Sequence, residues 1–288
     1  MRTDTDDHAQ APVPSWPEAM ERGRVSDAAF ARAYGRVGDL GRARIKTGVA
    51  AIFAACGGPM PLARRSETVL GHDLVLTRED VPLDFVVIVC GPGFASPARL
   101  AAAVLPALCA RTPEVAAVRL GGPWPEALLT ALELCGVETA CRVGPRGLTS
   151  LWAGLAAKGQ GAAVLLDGAP RPAGDLAGRL VVHEAKVAGR VLVRQAADPV
   201  LDRDALAFAQ PDLAIIEASD APGAPDALAR TADSGYDAVY GDPADGRQGQ
   251  DVPLILGPGR ETFWLWPHLS PEAFRRRRAA AFRRGDDA

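Results

Sequence analysis

The chain has 288 residues, 48% of them hydrophobic, which suits one large domain or two closely packed lobes. Its 32 Lys plus Arg against 35 Asp plus Glu leave a formal net charge of −3, which excludes a global basic field for nucleic acid. No uncharged apolar run of about 18 residues occurs, which excludes an α-helical membrane span.

Residues 1–24 are polar and acidic, hold Pro12, Pro14 and Pro17, and are predicted to form a flexible tail. They contain no apolar signal core, so the expected location is cytoplasmic. Ser26-Asp27 then opens a helical pattern with Ala29, Phe30, Ala33 and Tyr34 on one face. A second helix is predicted over Leu40–Ala55, stopped by Gly57-Gly58-Pro59. Thr68–Thr77 alternates weakly and reads as an edge strand or hairpin. Residues 25–80 are thus a region of N-terminal helices and an edge hairpin.

An α/β rhythm follows. Asp84–Val89 is a continuous β-branched run, as expected of a strand buried on both faces. A turn at Cys90-Gly91-Pro92-Gly93 leads to Ser96-Pro97, an N-cap with Pro at N1, and an Ala/Leu-rich helix to about Arg111. Val115–Leu120 is a second strand, Val137–Gly144 a third and Ala162–Leu166 a fourth, with helices between them. Right-handed crossover connections predict that Asp84–Val89 and Val115–Leu120 lie side by side. A Pro/Gly stretch over Ala169–Gly174 marks the predicted boundary between a first α/β lobe at 81–169 and a second at 170–288. The second lobe carries strand patterns at Leu180–Glu184, Val191–Ala196, Asp212–Ala218, Tyr236–Asp242 and Val252–Gly259. Helices are predicted at Asp202–Ala209 and Pro225–Ser234. A last helix is predicted from Pro271, carrying Phe274 and Phe282 on one face. The fold class is α/β: two Rossmann-like lobes with mainly parallel sheets.

The strand–turn–helix unit around Gly91, Gly93 and Ser96 is the best local binding signal. Its glycines let backbone amides approach a ligand, and a helix N-terminus favours an anion. The same glycines also suit an ordinary turn. Gly144-Pro145-Arg146-Gly147 and Gly257-Pro258-Gly259-Arg260 are two further turns whose arginines suit phosphate or carboxylate. His183, near a strand end, is a candidate acid or base. No H-x-x-x-H pair exists. The five cysteines, Cys56, Cys90, Cys109, Cys135 and Cys141, form no C-x-x-C pair, which argues for reduced thiols and against a structural zinc. Trp264 and Trp266 read as core or interface. Arg275–Arg278 reads as a solvated face.

Taken in order, the segments over roughly residues 78–278 resemble histidinol dehydrogenase. VPLDFVVIVCGPGFASP, ALELCGVETACRVGPRGLTSLWAG, QPDLAIIEA, LARTADSGYDAVYGD and LGPGRETFWLWPHLSPEAFRRR each resemble a family stretch at the corresponding place. The resemblance implies a fold of the aldehyde-dehydrogenase kind, NAD as cofactor, a bound zinc and a homodimer. The family's catalytic residues do not carry over. Its Glu-His pair falls on Asp212 and Leu213, its substrate-contacting His on Arg260, its cofactor-contacting Gln on Gly147, and its Tyr near Val89. The zinc-binding motif of the middle segment is absent over Asp167–Ala209. Asp251, displaced in register, is the one zinc ligand the resemblance offers.

Three functions are therefore open. The first is a descendant without most zinc and catalytic residues that binds a small anionic or nucleotide-like ligand in the interlobe cleft, through Gly91, Gly93, Ser96, Gly144, Arg146, Gly257, Gly259 and Arg260. The second is a divergent NAD-dependent oxidoreductase with Asp212 or His183 as base. The third is a protein-interaction module using Trp264, Trp266 and the C-terminal arginines. In the first reading zinc is expected to be lost and NAD is optional. Neither nucleic acid nor membrane is an expected partner.

Overall fold

The computed structural model describes residues 15–172, 180–194, 200–218, 235–241 and 253–283. The chain opens on a short helix, α1 (Glu18–Glu21), whose Met20 is buried. Residues 23–25 then run along an edge of the main sheet. Val25 N–H donates to the Ala140 carbonyl at 2.8 Å, and Arg142 N–H to the Gly23 carbonyl at 2.8 Å. Residues 16–24, expected as part of a flexible tail, are therefore packed in place. The long helix α2 (Asp27–Ala55) is kinked at Gly38, where φ is 70°. The break falls between the two helical patterns read from the sequence. An antiparallel hairpin follows, β1 (Arg64–Val69) and β2 (Leu74–Pro82).

The main sheet begins with β3 (Phe85–Cys90), every residue of which is buried. Helix α3 (Pro97–Cys109) is capped by the Ser96 hydroxyl, which accepts from Arg99 N–H. Next come β4 (Glu114–Leu120), α4 (Glu126–Cys135), β5 (Thr139–Val143), α5 (Leu148–Lys158), β6 (Gly161–Leu166) and β7 (Leu180–Ala185). The five strands run parallel in the order β5-β4-β3-β6-β7. The predicted adjacency of Asp84–Val89 and Val115–Leu120 is met by β3 and β4. The order reverses between β3 and β6, which makes their carboxyl ends the crevice of the sheet. The sheet continues past residue 170, because β7 pairs with β6.

A second parallel sheet contains β8 (Arg190–Val193), β9 (Ala214–Glu217), β10 (Ala238–Tyr240) and β11 (Ile255–Leu256), in the order β11-β10-β8-β9. Helix α6 (Arg203–Ala209) joins β8 to β9 and is capped by Asp202. The predicted helix at Pro225–Ser234 lies outside the described residues.

The last expected helix is a strand. A single 3₁₀ turn at Pro271–Phe274 leads into β12 (Arg275–Arg283), which pairs antiparallel with β2. In a helix, the run would set Arg275 and Arg278 as like-charged neighbours at i,i+3. In the strand, Arg277 faces Asp80 and Arg278 faces Glu79, which matches opposite charges across the ladder. Arg275 is buried and its Nε donates to Asp80 Oδ1 at 2.7 Å. Trp264 and Trp266 meet edge to face at 5.8 Å inside the core that joins the two parallel sheets. An interaction surface built on those two indoles is thereby ruled out. No two of the five cysteines are joined in a disulfide, and Cys90, Cys109 and Cys141 are buried. No helix among the described residues is long and apolar enough to cross a membrane.

Candidate functional site

The crevice beyond β3 and β6 is built by a close backbone approach. A Cβ at Gly91 would lie 1.8 Å from the Asp167 carbonyl oxygen, so only glycine fits there. The turn is held from the other side by Arg119 at the end of β4. Its guanidinium donates to the Pro92 carbonyl at 2.6 Å and to the Phe94 carbonyl. Burial lowers the Arg119 pKa, with the Cys90 and Asp212 neighbours acting in the opposite direction.

The centre of the crevice is Arg99, which is fully buried on the first turn of α3. Its guanidinium pairs with Asp167 and with Asp212. Its Nε donates to Gln210 Oε1 at 3.0 Å, and it lies 5.0 Å from the Phe94 ring centroid. Ser96 Oγ donates to the Ala209 carbonyl, 2.7 Å away, and lies 2.9 Å from Gln210 Oε1. Asp212 Oδ2 accepts the Ala95 amide at 2.8 Å. Burial pushes the Asp167 pKa up, and the charge and hydrogen bond of Arg99 pull it back down. Asp167 also sits at a φ of 29°, which a non-glycine residue rarely adopts. The anion at the N-terminus of α3 is therefore the chain's own Asp212 carboxylate. Arg99 ties the second sheet's α6–β9 segment to the first sheet.

The expected site residues divide among separate places. Gly91, Ser96 and Asp212 come together in the crevice, and Gly93 lies exposed at the rim of its turn. Each Asp212 oxygen accepts one hydrogen bond, Oδ2 from the Ala95 amide and Oδ1 from Arg99, so this candidate base is held in place by the crevice itself. Leu213, where the resemblance puts a proton-handling histidine, belongs to the core. Gly257, Gly259 and Arg260 form an exposed turn of the second sheet. Buried Glu261 anchors it by accepting from Gly259 N–H and Asp202 N–H, each at 3.0 Å. His183 lies within β7 and packs edge to face on Phe274 at 5.6 Å. Burial and the neighbouring His268 lower its pKa. Asp251 lies outside the described residues. Among those residues, no three His, Cys, Asp or Glu side chains are grouped to hold a metal. Sequence reasoning missed Arg99, Asp167 and Gln210. The available signal was Arg99 itself, a lone charge in the apolar helix PARLAAAVLPALC.

Gly144 and Arg146 border a different feature, an open cleft of about 890 Å³ at the carboxyl end of β5 and beside the loop after β4. Its walls carry Arg22, Arg24, Arg142 and Arg146 and, among the described residues, no acidic side chain. A Cβ at Gly23 would lie 2.0 Å from the Arg142 carbonyl oxygen. Glycine here lets residues 22–24 lie directly on β5 and brings the arginines to one rim. Among the described residues, Arg22 and Arg24 pair with exposed carboxylates on α1, Glu18 at 3.5 Å and Glu21 at 3.7 Å.

Comparison with solved structures gives likenesses of fold. A histidinol dehydrogenase from Elizabethkingia anophelis is similar at 10% identity and a TM-score of 0.53, over 91% of this chain and 77% of that one. An NAD-dependent benzaldehyde dehydrogenase from Corynebacterium glutamicum shares 12% identity at a TM-score of 0.44, over 93% of this chain and 85% of that one. A Sinorhizobium meliloti 1021 protein assigned as a methylmalonate-semialdehyde dehydrogenase, solved with NAD, shares 10% identity at 0.46, over 92% and 86%. No protein-family model and no curated protein matches the chain. The first of these likenesses is one of fold alone: this is a mixed α/β chain with parallel sheets and the Rossmann-like architecture found in dehydrogenases.

Proposed function

We propose that this chain is a divergent relative of the histidinol dehydrogenases that no longer transfers hydride and acts as a binding protein for a small anionic ligand. The observation that carries this reading is the filled crevice. A dinucleotide's pyrophosphate needs free backbone donors at the helix N-terminus beyond the switch-point strand. Here the Ala95 amide is bonded to Asp212, and Arg99 is committed to two carboxylates. In this arrangement the residues do not fit NAD at the crevice, and ligand binding belongs elsewhere on the sheet. A divergent NAD-dependent oxidoreductase is the second reading, favoured by the likeness of fold.

The test is elemental analysis of the purified protein with a histidinol-dependent NADH assay at neutral and alkaline pH. The expected outcome is no stoichiometric zinc and no turnover. A catalytic zinc needs about three protein ligands, and the loss of a general base alone removes about 10²–10⁴-fold in rate. Stoichiometric zinc together with measurable NADH formation would restore the dehydrogenase reading.

A further inference from the structure

We infer that the arginine-walled cleft at the carboxyl end of β5 binds a small molecule bearing phosphate or carboxylate groups with at least two negative charges. It gives the proposed binding role its site and rests on that role for its use. The chain as a whole is acidic, with 35 Asp plus Glu against 32 Lys plus Arg. The cleft nevertheless gathers Arg22, Arg24, Arg142 and Arg146 around one opening with no acidic lining residue among the described residues. Like charges around one opening repel one another, Glu18 and Glu21 offset only Arg22 and Arg24, and the arrangement becomes favourable when an anion enters. Arg142 and Arg146 form no ion pair among the described residues, so both forks are available for bidentate contact with an oxyanion.

The positions are fixed by backbone. Gly23 is pressed against the Arg142 carbonyl, and the Arg142 amide donates to the Gly23 carbonyl at 2.8 Å. The rim of the cleft is thus a paired edge of the sheet. The volume of about 890 Å³ exceeds the needs of a lone inorganic ion and falls within the range of about 300–1,000 Å³ for small-molecule sites. Trp124 and Leu129 supply an apolar wall for the ligand's body. The Trp124 indole is anchored by donating to the Cys141 carbonyl at 3.1 Å.

Isothermal titration of the full chain with pyrophosphate and with citrate tests the site. Phosphate and carboxylate chemistry are separated by which probe binds more tightly. The double variant Arg142→Ala/Arg146→Ala should weaken the tighter probe by about 100-fold, roughly ten-fold for each charge-assisted contact removed. Arg260→Ala, an equally exposed loop arginine outside the cleft, should leave it unchanged. Both arginines in the double variant are exposed, so melting temperature should hold and confirm that the fold survives. Raised salt should weaken binding of either probe. The site is overturned if neither probe binds, if the double variant binds as tightly as the parent, or if Arg260→Ala loses as much. Histidinol turnover alongside intact cleft binding would overturn the binding-protein role and leave the site standing. Absence of probe binding would overturn the site whatever the dehydrogenase assay gives.

Discussion

Arg99 is the side chain on which the crevice depends. Its guanidinium has no access to water, while Asp167 and Asp212 keep 19% and 15% of their side-chain surface exposed. Removing one member of a buried ion cluster strands the others, at a cost of about 3–5 kcal/mol. Arg99→Ala should lower unfolding free energy by about that amount in urea titrations. Asp212→Asn, which keeps an oxygen for the Ala95 amide, should cost clearly less. Equal costs would mean that the Asp212 charge alone accounts for the loss. The cysteines give a second outcome at this scale. Burial pushes Cys56, Cys90, Cys135 and Cys141 up to about 12 from 9.0. A thiol whose proton is held more tightly in the folded chain stabilises it fully below the unfolded value. That contribution is lost as pH rises from 9.0 to about 12. Melting temperature should therefore fall across this alkaline window, and native thiols should resist iodoacetamide at mildly alkaline pH. Native labelling as fast as that of the urea-unfolded chain would contradict the burial argument.

At the scale of elements, the parallel strands and the helices between them were legible because their signals are local. A strand buried on both faces reads as an unbroken apolar run, and β3 is one. Ser96-Pro97 opens α3 where capping chemistry places it. The C-terminal strand was not legible, because Arg275–Arg278 fits a solvated helix until its partner is known. That partner, Asp80, lies 195 residues earlier. The crevice was half legible for the same reason. Gly91 and Ser96 announce a turn and a cap, whereas the carboxylates that fill it come from 68 and 113 residues beyond Arg99. Asp80 also provides a test of the strand. Arg275 donates to the Asp80 side chain and carbonyl and, at 3.0 Å, to the Ala110 carbonyl. Asp80→Ala removes the only carboxylate among these acceptors and should free β12 from β2. Hydrogen exchange over 275–283 should then rise before exchange in β3 does. Unchanged protection of β12 would show that backbone pairing alone holds it.

For the whole molecule, the question is whether the two parallel sheets unfold together. A boundary near residue 170 predicts two units and two transitions. The packing argues otherwise. One core cluster contains Val86 and Ile88 of β3, Val191 and Val193 of β8, Tyr240 of β10, and Trp264, Trp266 and Phe274 of the C-terminal segment. Trp266 crosses back to α3, its indole donating to the Arg99 carbonyl at 3.1 Å. The Arg99 cluster adds charged contacts across the same junction. Opening the junction exposes a shared apolar core and leaves Arg99 unpaired, so neither sheet retains its stability once the other has left. Chains of this size often unfold in steps. Here calorimetry should instead give one transition, with calorimetric and van't Hoff enthalpies in agreement. Arg99→Ala weakens the charged part of the junction but not the apolar part, so it should lower that single transition without splitting it. Two resolved transitions in the parent chain would show that the junction is a docking surface between independent units.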